Sequence, residues 1–380
     1  MTKLVVYRNC FTGDVSGGDM HMSGLLEWLI DNKAGKIDPL LVFPRHDGQE
    51  KVYPEVSRLR TMTHPDTRLR QSIALMYVAR AIQAARRVNK FIGRSDLLVA
   101  SSHFLPDVLP VFMARAKRES KVVYIHHIIA DMDRPDNLNT KLANLQEKFC
   151  FFLIRHGFGK VVVVNQDVAD RLRELGFRRQ RILLSSNFVN PLSGVRPYEQ
   201  KDVTLAFCGR MVTQKGVDDF VQVCRELSGR IKNFNAVMIG VGPELDRLKG
   251  VIAREQLPIA LAGYVDDQTK FDLVSRAKLF VFPSAEEGWG IAVAEALAVG
   301  TPVVTYELPV YASVFGEHLH TVPLKDHDML TRTVDRLLAA YQAAPADYAV
   351  EQKQIATYAD QFRVEHVAAK EYEFIGAPQI

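Results

Sequence analysis

Residues 278–306 read KLFVFPSAEEGWGIAVAEALAVGTPVVTY. Two apolar runs, 278–284 and 301–306, flank a segment at 291–300 whose small and apolar residues suit a buried helix. Strand, helix and strand in this order predict a parallel βαβ unit, because parallel neighbours need a long crossover connection. Gly300 stands where helices commonly end in the left-handed conformation. The stretch therefore predicts an α/β protein with a parallel sheet.

The same alternation of apolar runs and amphipathic segments extends along the whole chain in two series. The runs are continuously apolar, which is typical of strands covered on both faces. The first series comprises KLVVYR (3–8), DPLLVF (38–43), DLLVA (96–100), KVVYIH (121–126) and KVVVVN (160–165). The second comprises VTLAFCGR (203–210), NAVMIG (235–240), PIALAGY (258–264) and the two strands quoted above. Residues 185–202, rich in Ser, Asn, Pro and charge, are predicted to link two doubly wound α/β domains.

Length and composition agree with two globular domains. A chain of 380 residues exceeds the usual size of one hydrophobic core. The sequence has no uninterrupted run of about 18 apolar residues, so no transmembrane helix is predicted. The first 14 residues suit a first strand better than a signal peptide. Four cysteines without metal-ligand spacing favour reduced thiols in a cytoplasmic protein.

The loops after the strands are the candidate functional segments, because ligands of such sheets bind beyond the carboxyl ends of the strands. Gly17 and Gly18 precede a predicted helix, whose N-terminus would favour an anion. They do not form a G-x-G-x-x-G fingerprint, which disfavours a nicotinamide cofactor, and a simple glycine turn is the alternative. Arg210 and Lys215 follow a strand end and could clamp a diphosphate. Two solvated surface cations are the alternative for this pair.

Two carboxylates flank the glycine-rich turn of the opening stretch. Glu287 lies on the loop at the strand end, and Glu295 lies more than one turn into the helix. Carboxylates accept paired hydrogen bonds from vicinal hydroxyls, so both could bind a sugar and its nucleotide. Gly288 and Gly290 leave backbone N–H groups open to a phosphate. The alternative for Glu295 is a buried carboxylate with an internal partner, and neighbouring Glu286 is predicted to be solvated.

An ordered series of motifs gives the sequence a family resemblance. The series is FCGRMVTQKG (207–216), GVGPELDRLK (240–249), AGYVDDQTKFDLVSRAKLFVFPS (262–284), EGWGIAVAE (287–295) and ALAVGTPVV (296–304). The sequence thereby resembles the retaining glycosyltransferases of the GT-B fold, family 4 (glycosyltransferase group 1). The resemblance implies two Rossmann-like domains facing across a cleft: an acceptor-side domain at 1–188, completed by a C-terminal helix at about 357–380, and a donor-binding domain at 189–356.

The resemblance also assigns roles to individual positions. It implies that Arg210 and Lys215 bind the donor diphosphate and stabilise it as the glycosidic bond breaks, that Glu287 holds the donor sugar, and that Glu295 binds the ribose. His126 matches a histidine beside the donor sugar, and adjacent His127 is predicted to point to the opposite face of its strand. The remaining implied substrate-binding positions are Gly17, Gly18, His103, Gly263, Tyr264, Val265, Gly288, Trp289, Gly290 and Ile291. A loop histidine without a ligand role is the alternative for His103.

The reaction implied by the resemblance is transfer of a sugar from a nucleotide-diphosphate sugar to a glycan or lipid-linked acceptor with retention of configuration. Cell-surface polysaccharide or glycolipid synthesis is the expected setting. No cofactor is implied, and the absence of metal-ligand spacing predicts catalysis without a metal ion. A non-catalytic nucleotide-sugar-binding or membrane-scaffold protein, and a sugar-nucleotide epimerase of the same fold, are the alternatives. A non-catalytic relative would be expected to have lost Arg210, Lys215 or Glu287.

The segment 67–94 suggests a membrane partner. Residues 1–190 carry 29 Lys and Arg against 19 Asp and Glu, whereas residues 191–380 carry 19 against 25. The cations of the segment, which has no acidic residue, are Arg68, Arg70, Arg80, Arg86, Arg87, Lys90 and Arg94. A basic amphipathic helix of this kind could lie peripherally on the cytoplasmic face of an anionic membrane. A solvated outer helix is the alternative, and nucleic acid is disfavoured because no recognised binding module is present.

Overall fold

The computed structural model describes residues 2–10, 17–33, 36–44, 58, 60–64, 73–128 and 138–376. The chain divides into two compact units, Met1–Asn187 with Val364–Ile380 and Phe188–Arg363. Each unit is a parallel α/β domain with its own sheet, as the two series of apolar runs predict.

The first unit contains a seven-stranded parallel sheet with the strand order β3-β2-β1-β4-β5-β6-β7. Its strands are β1 Thr2–Tyr7, β2 Ile37–Pro44, β3 Arg60–His64, β4 Leu97–Ala100, β5 Lys121–Ile125, β6 Lys160–Val163 and β7 Ile182–Leu184. Its α-helices are α1 Gly17–Asn32, α2 Ile73–Val88, α3 Leu105–Met113, α4 Leu138–Gly157, α5 Gln166–Glu174 and, from the chain end, α13 Val364–Gly376.

Both faces of this sheet are covered because successive strand residues point to opposite sides. On β1, Val5 and Tyr7 join the core formed with α2, α3, α4 and α5. Leu4 and Val6 join the core formed with α1 and α13. The C-terminal helix is therefore part of the first unit, and β1 is apolar throughout because neither of its faces meets water.

The second unit contains a six-stranded parallel sheet with the order β10-β9-β8-β11-β12-β13. Its strands are β8 Val203–Cys208, β9 Ala236–Ile239, β10 Ile259–Gly263, β11 Ala277–Phe282, β12 Val303–Tyr306 and β13 His320–Val322. Its α-helices are α6 Val217–Ser228, α7 Leu245–Glu255, α8 Asp267–Ser275, α9 Ile291–Ala298, α10 Pro309–Val314, α11 His327–Ala343 and α12 Pro345–Ala359. Gly300 adopts a φ of +67° just beyond α9, which confirms the predicted helix end.

The strand order reverses direction once in each sheet, and these reversals position the candidate site. In the second unit the chain runs outward from β8 through β9 to β10, then crosses to β11 on the other side of β8. The connections after β8 and β11 therefore diverge and leave a crevice at the carboxyl edge between the two strands. In the first unit the equivalent point lies between β1 and β4.

Candidate functional site

The crevice beyond β8 and β11 is built by two loops that touch. The loop after β8 contains Gly216, whose φ is +69°, and a Cβ there would lie 2.0 Å from the Pro283 carbonyl oxygen. Only glycine fits this approach. The loops are also joined by a hydrogen bond in which the Ala285 N–H donates to the Gln214 carbonyl at 2.9 Å. Lys215 and Glu287 are thus carried on loops fixed against each other.

Lys215 and Glu287 form an ion pair between the two loops of this crevice. The Lys215 Nζ lies 2.5 Å from Glu287 Oε1 and 3.5 Å from the Glu286 carbonyl oxygen. The ammonium also lies 5.8 Å from the centre of the Phe282 ring. Both charged side chains are partly buried, so each stabilises the other where hydration is reduced. The sequence placed both residues at strand ends, and the structure brings them into direct contact.

Arg210 lies on the loop after β8, two residues beyond the strand, and is exposed. Its backbone is held by neighbouring hydrogen bonds, since the Val212 N–H donates to the Arg210 carbonyl at 2.8 Å. Lys215 is already paired with a carboxylate, whereas the Arg210 guanidinium faces solvent on the same loop. A diphosphate bound here would contact the exposed Arg210 guanidinium and the Lys215 ammonium, which Glu287 holds in place.

A second ion pair lies on the neighbouring helices. Lys270 of α8 donates from Nζ to Glu295 Oε1 of α9 at 2.6 Å and to Asp267 Oδ1 at 2.9 Å. Burial opposes the charge on Lys270, but Glu295 and Asp267 outweigh it and raise the pKa of the ammonium. Burial also raises the pKa of the Glu295 carboxyl, an effect that Lys270 opposes. The structure therefore gives Glu295 an internal partner, which a bound ribose would have to share or displace.

Lys270 is a residue that the sequence analysis missed. It lies inside the motif segment 262–284, one turn into a helix capped by the Asp266 side chain. In the sequence, Lys270 is marked only by its position three residues after Asp267, and such a pair of opposite charges is common on solvated helices. Its distant partner Glu295 cannot be found from spacing.

The turn before α9 is shaped by Gly290, which has a φ of +101° and caps the helix. A Cβ at this position would lie 2.7 Å from Tyr311 Cε1. Gly288 is exposed and Ile291 is half-buried, so the backbone of the turn is accessible beside a helix N-terminus. The Trp289 ring is buried between Phe315 and Phe362, with centroids at 5.5 and 5.1 Å. Trp289 therefore contributes its backbone to the turn while its ring anchors the loop.

The remaining donor-side positions lie at the end of β10. Gly263 has a φ of +67°, and its carbonyl accepts a hydrogen bond from the Gly240 N–H at 2.8 Å. Tyr264 is 84% exposed and Val265 is half-buried. The exposed Tyr264 ring at this strand end can stack on the ring of a ligand.

In the first unit, His126 lies directly after β5 and contacts the start of α1. A Cβ on Gly18 would lie 2.8 Å from His126 Cδ2, so a glycine is needed for this approach. Both ring nitrogens of His126 are buried without an ordinary hydrogen bond to the described residues. Burial lowers the pKa of His126 well below its usual value, and His21, His127 and His103 add to the effect. His126 is therefore a neutral imidazole. Gly17 begins the same helix.

A buried carboxylate from the C-terminal helix fixes the rings around His126. Glu371 Oε2 accepts hydrogen bonds from the Tyr124 hydroxyl at 2.8 Å and pairs with His21 Nε2 at 3.0 Å. Ser185 donates to the other carboxylate oxygen. The His21 and Tyr124 rings pack on His126 with centroids at 5.8 and 6.2 Å. Sequence reasoning missed Glu371, because only the fold brings it to β5.

His103 is buried rather than exposed on a loop. Its Nε2 lies 2.9 Å from Glu147 Oε1, and its ring stacks on Phe151 with centroids at 5.7 Å. The His127 ring meets it edge-on, also at 5.7 Å. The structure thus gives His103 a packing role and a buried partner, and an acceptor would have to reach it through neighbouring residues.

A buried carboxylate also lies where β1 and β4 end. Asp107 accepts hydrogen bonds from the Asn9 N–H at 2.6 Å and from the Ser101 and Ser102 hydroxyls at 3.1 and 2.7 Å. Burial raises the pKa of Asp107 to about 6, and these hydrogen bonds oppose the shift. Asp107 lies in the apolar first turn of α3 and carries no motif that would identify it from the sequence.

Two negative findings apply to the described parts of the chain. No three His, Cys, Asp or Glu side chains there are grouped to hold a metal ion. None of the helices described has the length and apolarity needed to span a membrane.

Comparisons with known proteins agree with the motif series. Residues 194–354 match the family model described as glycosyl transferases group 1. The chain is 30% identical over 125 residues to the 2-deoxystreptamine N-acetyl-D-glucosaminyltransferase of Niallia circulans, covering 32% of each protein. It is 27% identical over 225 residues to the putative colanic acid biosynthesis glycosyltransferase WcaL of Escherichia coli, covering 56% of this chain and 53% of WcaL. The matched stretches thus span between about a third and a half of these relatives.

Solved structures show the same fold over the full length. Anabaena HepE, solved with UDP and glucose, superposes with a TM-score of 0.73 at 14% identity and covers 100% of both chains. The lipopolysaccharide outer core galactosyltransferase WaaB superposes with a TM-score of 0.69 at 13% identity and covers 99% of both. The predicted GT-B fold class, with two Rossmann-like domains, is confirmed.

Proposed function

We propose that the protein is a glycosyltransferase, because residues 194–354 of the second unit match the family model of the glycosyl transferases group 1. It moves a sugar from a nucleotide-diphosphate sugar to a glycan or lipid-linked acceptor. One relative is the putative colanic acid biosynthesis glycosyltransferase WcaL, and another is the alpha-galactosylglucosyldiacylglycerol synthase of Streptococcus pneumoniae. We therefore infer cell-surface polysaccharide or glycolipid synthesis as the setting.

The observation that carries this proposal is the contact between Lys215 and Glu287 at the crevice beyond β8 and β11, at 2.5 Å. One cation and one carboxylate, held together, suit a donor in which a diphosphate is joined to a sugar rich in hydroxyls. Arg210 supplies a second cation for the diphosphate. Glu295 is assigned to the ribose hydroxyls, and Tyr264 with the Gly263 and Val265 backbone to the base.

The reaction follows from these assignments. The bond between the anomeric carbon and the diphosphate oxygen breaks, the acceptor oxygen bonds to that carbon, and the acceptor proton passes to the leaving phosphate. Arg210 and Lys215 neutralise the charge that grows on the diphosphate, which is the usual main source of such rate enhancement. We assign retention of configuration and metal-independent catalysis by the family resemblance, with no cofactor beyond the donor.

The first unit is proposed to bind the acceptor. His126, whose imidazole is neutral, is assigned to a hydroxyl of the donor sugar rather than to a phosphate. The α1 N-terminus at Gly17 and Gly18 places backbone N–H groups beside it.

Peripheral membrane association is part of the proposal. Arg86 and Arg87 are exposed in the last turn of α2, and Val78 and Ile82 on the same helix are exposed and apolar. The Arg68 and Arg70 side chains of the predicted segment lie outside the described residues. A cationic and apolar face of this kind suits an anionic lipid surface that carries the acceptor.

The proposal is tested by incubating the purified protein with UDP-, GDP- and ADP-sugars and a panel of lipid and oligosaccharide acceptors. Acceptor-dependent release of one nucleoside diphosphate, lost in Glu287→Gln, is the expected result. Conversion of the donor to its epimer would instead establish the epimerase alternative. Diphosphate binding without turnover on any acceptor would favour the non-catalytic binding protein.

A further inference from the structure

Helix α4 exposes an apolar stripe on its outer side. Leu142, Leu145, Phe149 and Phe152 are 45% to 65% exposed. Their spacings of three, four and three residues place them on one face of the helix. Its opposite side is also apolar, since Leu153 and Ile154 are buried in the core of the first unit. Packing in the core therefore explains why the buried side of α4 is apolar, but it does not explain why the exposed side is apolar too.

The exposed charged side chains of α4 all have one sign. Lys148 precedes the two phenylalanines and Arg155 follows them, and both cations are exposed. The one acidic residue of α4, Glu147, is buried against His103 and does not reach this surface. The outer face of α4 thus combines large apolar side chains with cations, which is the composition of helices that lie in a lipid interface.

The neighbouring helices extend and then limit this surface. Helix α3 packs between α2 and α4, and Met113 at its end is exposed. Beyond it, α2 presents Ile82 with Arg86. On the far side, α5 carries acidic residues paired with its own arginines, so its exposed face has no net cationic character. The apolar cationic surface therefore runs from α2 to α4 and stops at α5.

We propose that α4 is the segment by which the protein inserts into an anionic membrane surface, with Phe149 and Phe152 entering the interface and Lys148 and Arg155 contacting lipid phosphates. This inference deepens the proposed function, because it rests on an acceptor held at a membrane. A second copy of the chain is a poorer occupant. A symmetric pairing through this stripe would bring like cations of the two copies together.

The first experiment measures vesicle binding by co-sedimentation, without any sugar transfer. The wild-type protein binds phosphatidylglycerol-containing vesicles and binds pure phosphatidylcholine vesicles much more weakly. Lys148→Glu changes the surface by two charges and reduces binding to the anionic vesicles by about 25-fold, from about 5-fold per charge. Phe149→Gln/Phe152→Gln reduces it by at least about 10-fold, because two inserted rings are lost. The matched controls on α12, Lys353→Glu and Val350→Gln, leave binding unchanged; Val350 is 57% exposed, as is Phe152.

The second experiment measures insertion directly. Phe152→Trp fluorescence is quenched by lipids spin-labelled near the headgroup, and Val350→Trp fluorescence is not, relative to the wild-type background of Trp28 and Trp289. Circular dichroism of each variant verifies folding. The proposal is overturned if the wild-type protein does not bind the vesicles, or if the Phe149→Gln/Phe152→Gln and Lys148→Glu variants bind them as well as the wild type does. It is also overturned if the protein forms a concentration-dependent dimer that the Phe149→Gln/Phe152→Gln variant abolishes. Since no donor is present, these results stand independently of whether sugar transfer is found.

Discussion

Replacing Lys215 with alanine tests the proposed diphosphate contact most informatively, because two effects of different size should appear together. The ammonium that stabilises the leaving diphosphate is lost, and Glu287, partly buried at 2.5 Å from it, is left without its partner. The first effect lowers turnover, and the second lowers stability.

The two magnitudes can be worked separately. Loss of one preorganised electrostatic group from a transition state costs about 10²- to 10³-fold in kcat. An unpaired and partly buried carboxylate costs about 1–3 kcal/mol in the free energy of unfolding. Adding Glu287→Gln should recover most of that stability, because a neutral amide needs no counter-ion, yet it should not recover turnover.

The assay pairs steady-state kinetics with urea unfolding for Lys215→Ala, Lys215→Arg and the Lys215→Ala/Glu287→Gln variant. Lys353→Ala, on an exposed face of α12, is the control for loss of a lysine. Lys215→Arg should retain more activity than the alanine variant. Turnover of Lys215→Ala within about threefold of wild type, or its full rescue by Glu287→Gln, would refute the assignment of Lys215 to the diphosphate.

Three further substitutions probe the local physics. Gly216→Ala should lower the free energy of unfolding, measured in urea, by more than about 2 kcal/mol, because the φ of Gly216 is +69° and a Cβ there would lie 2.0 Å from a backbone oxygen. The control Gly250→Ala, at an open helical position, should be neutral or stabilising. Lys270→Met should destabilise the protein more at pH 8 than at pH 5, because the Glu295 carboxylate loses its partner and is neutralised by a proton more readily at the lower pH. Equal losses of stability at both pH values would contradict this. Asp107 has its pKa raised to about 6, so its contribution to stability is fully present below pH 3.8 and is lost as the pH rises through 6. Relative to Asp107→Asn, the wild type should therefore lose up to about 3 kcal/mol between pH 4 and pH 7, and a pH-independent difference would contradict the shift.

The architecture was largely predictable because buried parallel strands leave a clear signal. Every quoted apolar run overlaps a strand of the two sheets. Three strands escaped prediction: β3 and β13 include polar residues such as Arg60 and His320, and β7, although apolar, is only three residues long. Their pairing with a neighbour at the sheet periphery, rather than their own composition, makes them strands.

The site was predictable as a set of positions but not as a set of contacts. The strand-end placement of Lys215 and Glu287 follows from the pattern, whereas their ion pair depends on Gly216 bringing two loops together. Lys270 and Glu371 pair with residues 25 or more positions away, so spacing carries no information about them. His103 illustrates the same limit, since its buried partner Glu147 belongs to another helix.

The outer face of α4 was missed for a different reason. Its apolar residues occupy nearly the whole circumference, so the sequence suggests an ordinary core helix. Only the structure separates the buried Ile154 from the exposed Phe152.

The most direct test of the central claim is isothermal titration calorimetry of the wild-type protein with UDP, GDP and ADP in EDTA, and again with magnesium. We expect one diphosphate to bind in EDTA, and we expect Arg210→Ala and Lys215→Ala each to weaken its binding by about tenfold or more. If none of the three binds, or if binding requires magnesium, the assignment of the second unit as a metal-independent nucleotide-sugar site is wrong.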